Sequence, residues 1–320
     1  MKLKKFYDAV VATGIEADPR GKKAVLKTLD KKKKAYKDMK KDDKEFFDVE
    51  SLTNPYADTR ILNGTGNEEI KTALIGIDME VAEILLADRL SSKGKKIDLV
   101  IAHHPEGKAY ANFYEVMSMQ ADILHKFGVP INIAENLTES RMKDVGRRLM
   151  PVNHTRASDA AELLGMPFMC MHTPADNMVV DYLQDLFDKK KPETVGDIID
   201  MLKKIPEYRE AAINNAGPNI MLGSSGRRAG KVFVDMTGGT EGSKEIFRSL
   251  SHSGVGTIVA MHLSDEHRKQ AEKYHINVVI AGHISSDNLG INLMLDEVLK
   301  KAKLKFIPCS GFRRFERKKK

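Results

Sequence analysis

Short apolar runs alternate along this chain with stretches whose apolar residues recur at helical spacing. Lys71-Thr-Ala-Leu-Ile-Gly-Ile-Asp78 reads as a buried strand that ends on a carboxylate. From Met79 to Leu90 the positions Val81, Ile84 and Leu85 form a helical stripe, and Ile97 to Ala102 is again apolar and closes on His103-His104. This strand–helix–strand unit is the building block of parallel sheets. Helical patterning over about Tyr110 to Phe127 leads to a short run, Val129 to Ala134, that predicts another strand. Helices are expected at Thr138 to Leu149, Ala157 to Leu164 and Asn177 to Phe187, with a strand at Pro167 to His172. The second half repeats the alternation. Strands are expected at Lys231 to Met236, Gly256 to His262, Asn277 to His283 and Leu304 to Pro308. The helices between and around them are Val195 to Lys204, Ser243 to Leu250, Asp265 to Tyr274 and Leu289 to Lys301.

The pattern predicts an α/β protein of two α/β lobes, with mixed sheets flanked by helices. Asp188-Lys-Lys-Lys-Pro-Glu193 combines charge with a helix breaker and marks the main boundary. Three parts follow: a basic helical extension over 1–50, a first lobe over 51–190 with added helical material, and a second lobe over 191–320.

Composition narrows the class. At 320 residues and 42% hydrophobic positions the chain can bury one large core or two modest ones. No apolar run approaches the roughly 18–20 residues that span a bilayer, which argues against a membrane partner. The basic N-terminus lacks the apolar stretch of a signal peptide. With only Cys170 and Cys309 there is no disulfide framework, and a cytoplasmic location is expected. The charge of +7 gathers in Lys31 to Lys34, Lys37 to Lys44 and Arg313 to Lys320. These runs could contact nucleic acid electrostatically, but no recognition motif accompanies them and the chain has no Trp, so a solvated surface is the simpler reading.

Histidine carries the chemical signal. Four apolar runs end on it, at His103-His104, His172, His262 and His283. Ligands of open α/β sheets collect beyond the carboxyl ends of strands, and neutral imidazole is a common ligand of divalent metals. Gly282-His-Ile-Ser-Ser-Asp287 places a carboxylate four residues after His283, on the same face of a helical turn; His172-Thr-Pro-Ala-Asp176 has the same spacing. Two such sets and a His-His pair supply about the right number of ligands for two divalent ions, with zinc, iron, manganese and cobalt all compatible. His262, Glu266 and His267 are candidates for general acid/base work, and surface positions are the competing reading for His262 and His267. Gly223 to Lys231 has the wrong spacing for a phosphate-binding P-loop. The loop Thr237-Gly-Gly-Thr-Glu-Gly242, containing Gly238, Gly239 and Thr240, could seat a phosphate or serve as a plain tight turn.

His103-His104-Pro105, His172-Thr-Pro-Ala-Asp176 and Gly282-His-Ile-Ser-Ser-Asp287 resemble, in order and strand-end context, three signatures of the Nif-three-like proteins, often labelled GTP cyclohydrolase I type 2 homologues. The resemblance runs from about Asn54 to Pro308. It implies two α/β lobes, a dinuclear metal site in the cleft between them and a homo-oligomer, typically a hexamer. The implied ligands are His103, His104, Asp176, His283 and Asp287. Asp287 stands where the family usually has Glu, one methylene shorter, and the interval from His104 to Asp176 is longer than usual. The family label implies a metal-activated water that opens the imidazole ring of GTP.

The expected activity is metal-dependent hydrolysis of a nucleotide-like or phosphorylated small molecule. The alternative is a non-enzymatic metal-binding adaptor that engages partners through an oligomeric ring and its basic termini.

Overall fold

The computed structural model describes residues 1–301 and 303–317. Residues 318–320 of the basic C-terminal run lie outside the described residues. The chain opens with α1 (Leu3–Glu16), α2 (Lys22–Asp38) and α3 (Lys41–Glu45). The first half continues as β1 (Arg60–Asn63), β2 (Thr72–Gly76), α4 (Val81–Ser92) and β3 (Leu99–Ala102). A helical run follows, α5 (Gly107–Ala111), α6 (Met119–Lys126), α7 (Ile131–Leu149) and α8 (Arg156–Leu163), before β4 (Phe168–Cys170) and α9 (Thr173–Lys190). The second half contains α10 (Val195–Leu202), α11 (Pro206–Ile213), β5 (Asn219–Leu222), β6 (Lys231–Asp235), α12 (Ile246–His252) and β7 (Val255–Ala260). It closes with α13 (Asp265–Lys273), β8 (Asn277–Ile280), α14 (His283–Val298) and β9 (Lys305–Pro308).

Two mixed sheets result. The five-stranded sheet has the order β1-β4-β3-β2-β9 and the four-stranded sheet the order β5-β8-β7-β6. Each has one antiparallel edge strand, β1 on β4 and β5 on β8, and is otherwise parallel. β3 is buried at all four positions, as expected for a strand covered by helices on both faces.

Four expectations change. The N-terminal segment is not a simple appendage, because α1 buries Leu3, Phe6, Tyr7 and Val10 in the main core and packs against α9 and α14. The approach is close: a Cβ on Gly14 would stand 2.6 Å from Pro174 Cβ. By contrast α2, which carries much of the lysine run, buries only Val25 and Leu29. The apolar run at Val129 is not a strand; Pro130 caps α7, whose inward positions are Ala134, Thr138, Val145 and Leu149. A six-residue run that fits period two also fits the first turns of an amphipathic helix. The last strand, placed by sequence with the second lobe, pairs with β2 of the first sheet. The helix after Gly242 starts only at Ile246, not Ser243.

α9 and α14 pack against each other, and a Cβ on Gly290 would sit 2.4 Å from the Ala175 carbonyl oxygen. Only glycine permits that approach. It brings the first turn of α9 against α14, where the carboxylates of interest lie.

Candidate metal centre

Three chain crossings build the site. β3 delivers His103 and His104, whose backbone N–H groups donate to the carbonyls of Gly76 (2.9 Å) and Ile77 (3.0 Å) at the end of β2. β4 delivers His172 at the N-cap of α9, with Asp176 in the first turn. β8 runs through Gly282 at φ 110 into α14, which begins at His283 and presents Asp287 one turn later. That backbone angle favours glycine, and a Cβ at 282 would also meet Ser285 Oγ at 2.5 Å.

The imidazoles are oriented from behind. His103 Nδ1 lies 3.1 Å from the Met171 carbonyl, His104 Nδ1 2.6 Å from Asp78 Oδ1, and His172 Nδ1 2.8 Å from Asp58 Oδ2. A carbonyl can only accept, so His103 donates through Nδ1; the carboxylates favour the same tautomer in the other two. Each ring then turns Nε2 inward, the arrangement that metal-binding histidines take from an outer carboxylate or carbonyl. Asp58 is fully buried and also accepts from Thr173 Oγ1 at 2.6 Å.

The inward atoms face one another across gaps. His103 Nε2 is 3.4 Å from Asp176 Oδ1 and 3.4 Å from Asp287 Oδ1. Asp287 Oδ2 is 3.5 Å from His104 Nε2 and 3.7 Å from His283 Nε2, while His172 Nε2 is 3.6 Å from Asp176 Oδ2. Two atoms each about 2.1 Å from a common ion at a tetrahedral angle stand ~3.4 Å apart. Four of these atoms, His103 Nε2, Asp176 Oδ1 and both oxygens of Asp287, are buried without a hydrogen-bond partner among the described residues. An unsatisfied buried polar group costs about 1–3 kcal/mol, and more if charged. Four at one point fit a cation, and these buried His and Asp groups could bind a metal ion.

Electrostatics agree. Burial opposes the charge on Asp287, but His103, His104 and His283 hold its carboxyl far below the usual range. Burial likewise opposes protonation of His103, yet Asp287 and Asp176 push its pKa well up. Binding of a divalent ion to such a group would displace protons from the imidazoles it engages.

The cluster opens into a small cleft of about 60 Å³, lined by Asp176, Gly239, Thr240, Glu241, His262 and His283 among others. The His262 ring centroid lies 5.0 Å from that of His283, and His262 Nδ1 is 3.4 Å from Glu241 Oε1. Burial disfavours the Glu241 charge, but His262, His267 and the Ser264 N–H outweigh it and bring the pKa down to about 2.

The other acid/base candidates are placed differently. Glu266 is exposed and paired with Lys244 at 2.7 Å, because the α13 helix turns that position outward. His267 is buried with both nitrogens engaged, Nδ1 at 2.6 Å from Ser264 Oγ and Nε2 at 3.0 Å from the Gly242 carbonyl. In the glycine loop, Gly238 packs on Gln120, whose Nε2 donates to the carbonyls of Gly238 (2.7 Å) and Thr240 (2.8 Å). No helix start backs this loop, since α12 begins beyond Glu245.

Sequence reasoning missed Asp58 as the support of His172, 114 positions away, and gave Glu241 no role. His172, which the His-x-x-x-Asp spacing marks as a ligand candidate beside Asp176, also joins His103 and His104 in one potential ligand group.

The fold and cluster thus define a two-sheet α/β protein with a buried His/Asp group suited to a metal ion. No family model matches the sequence, and no curated protein matches it. Among solved structures, the chain is similar to a NIF3 superfamily protein from Sphaerobacter thermophilus, at 29% identity and a TM-score of 0.70 over 80% of this chain and 91% of that one. It is also similar in fold to reduced HcgD from Methanocaldococcus jannaschii, with 15% identity and a TM-score of 0.50 over 78% of this chain and 87% of that one. The chain has the fold of the NIF3 superfamily, and its structural neighbours are NIF3 superfamily proteins. No helix of the described residues is long and apolar enough to cross a membrane.

Proposed function

We propose that the protein is a hydrolase with two divalent ions, acting on a nucleotide-like or phosphorylated substrate. The observation that supports this best is the group of four orphaned atoms around Asp287. One Asp287 oxygen faces His103 and the other faces His104 and His283, so the carboxylate can serve two ions. His103, Asp176 and His172 would complete the first set; His104 and His283 would complete the second. Bound divalent ions lower the pKa of water and polarise a bond under attack.

The chain supplies the rest. Asp58, Asp78 and the Met171 carbonyl hold the three imidazoles in their ligand tautomer. Glu241 at Nδ1 orients His262, whose Nε2 can exchange a proton with a leaving group in the cleft. Gly239 and Thr240 flank the same space. The family's cyclohydrolase label is one member of this reaction class. The test is metal analysis of protein purified without chelator, followed by a panel of nucleotides and phosphoesters. At least one ion per chain, and turnover lost in Asp176→Ala, are expected; no metal or no turnover refutes the reading.

We also propose that the chain self-associates. Leu85 and Leu86 of α4 and Leu163 of α8, helices that pack side by side, are 52%, 41% and 87% exposed, and large apolar side chains exposed on neighbouring helices offer a surface for a second copy. Sedimentation equilibrium showing only monomer at tens of micromolar would exclude it.

A further inference from the structure

A second cavity shares His283 with the cluster cleft. It has an accessible volume of about 290 Å³, near the lower end of the ~300–1,000 Å³ typical of small-molecule sites. Its walls come from α11, the first turns of α14 and the C-terminal segment, with Ala211, Ile284 and Phe315 supplying apolar surface. Most polar groups around it are already satisfied. Asn288 Nδ2 donates to the carbonyls of Ile284 (2.7 Å) and Gly311 (3.0 Å), and its Oδ1 accepts from the Arg313 N–H at 2.5 Å. Buried Glu207 accepts from Arg317 Nη2 on both of its oxygens, at 2.8 and 2.9 Å.

Two charged groups in the lining are not so engaged. The Arg313 guanidinium donates only to the Phe312 carbonyl, at 2.9 Å, and pairs with no carboxylate among the described residues. Glu210 lines the same space and likewise has no cationic partner among them. An apolar slot with one available guanidinium selects a flat ring that carries an acidic group, since guanidinium binds carboxylate or phosphate in a forked geometry. Glu210 disfavours a second negative charge beside it, which leaves the acid to Arg313 and the ring to the apolar walls.

We propose that this cavity seats a flat aromatic anion beside the metal cluster, its acidic group on Arg313 and its ring on the apolar walls that run up to His283. The inference rests on the metal-centre reading above and adds the substrate's ring-recognition site to it. Neither Ala211 nor Arg313 belongs to the cluster.

The probe is 1-naphthyl phosphate, followed by its own fluorescence on the full chain loaded with metal. Ala211→Trp fills the slot, and Arg313→Gln removes the charge at an exposed position that leaves folding intact. Each should weaken naphthyl phosphate binding at least tenfold, while Ala211→Trp leaves inorganic phosphate binding and metal content unchanged. Naphthyl phosphate that binds either variant as it binds the wild type overturns the proposal. Metal content on the same samples reports separately on the cluster: a wild type that holds no metal ends the metal-centre reading, whatever the ring does.

Discussion

Asp287→Asn is the most informative perturbation of the cluster. Asp287 is fully buried and has three imidazoles on its two oxygens at 3.4, 3.5 and 3.7 Å. The amide keeps the shape but removes the charge and replaces one acceptor by a donor aimed at Nε2. An ion that binds only the folded state stabilises it by about 4 kcal/mol at a thousandfold excess over Kd. In a chain of this size ~1 kcal/mol moves the melting midpoint by about 2 °C, so saturating metal should raise it by ~8 °C. The assay is thermal unfolding of chelator-stripped protein with and without zinc or manganese. Wild type should show the full rise and Asp287→Asn less than a quarter of it, with the stripped forms melting close together. An equal rise in both would show that the metal binds elsewhere and that the orphaned oxygens have another explanation.

Removing the support behind His172 with Asp58→Asn should weaken metal retention by about 10–100-fold; competition with a fluorescent chelator measures this, and an unchanged affinity would remove Asp58 from the site. Gly290→Ala puts a methyl 2.4 Å from the Ala175 carbonyl, and overpacking of this kind costs about 1–3 kcal/mol. Urea unfolding should show that loss together with poorer metal binding, while a neutral result would mean that α9 and α14 separate easily. Glu241 has its folded pKa lowered to about 2, below the ~4.3 of an unfolded glutamate. Its contribution is therefore complete above pH ~4.3 and fades as the pH falls towards 2. The melting difference between wild type and Glu241→Gln should accordingly be larger at pH 6 than at pH 3; equal differences would contradict the assignment.

Legibility followed the range of the forces involved. His103-His104, His172 and His283 could be read because strand endings and i, i+4 spacing are local patterns, and all of them converge in space. Asp58 could not, because its contact with His172 depends on a loop meeting a strand end 114 positions away. β1, with four residues around Arg60–Asn63, is too short and too polar to stand out. The α7 start misled because Ile131 and Ile133 alternate with polar residues, yet both are partly exposed at 37% and 38%. The return of β9 to the first sheet was invisible for a different reason, since strand order is decided by packing partners and not by the strand's own composition.

That return has a mechanical consequence. Because β9 is hydrogen-bonded alongside β2, the segment bearing the second sheet is a loop of chain sewn into the first sheet at both ends. A single nick by a protease at Lys189 to Lys191 would therefore leave one particle, not two fragments. The two sheets also share one apolar core, in which Ile75 and Leu99 belong to the same cluster as Phe233 and Ile258, so parting them would expose that core as well as strain both connections.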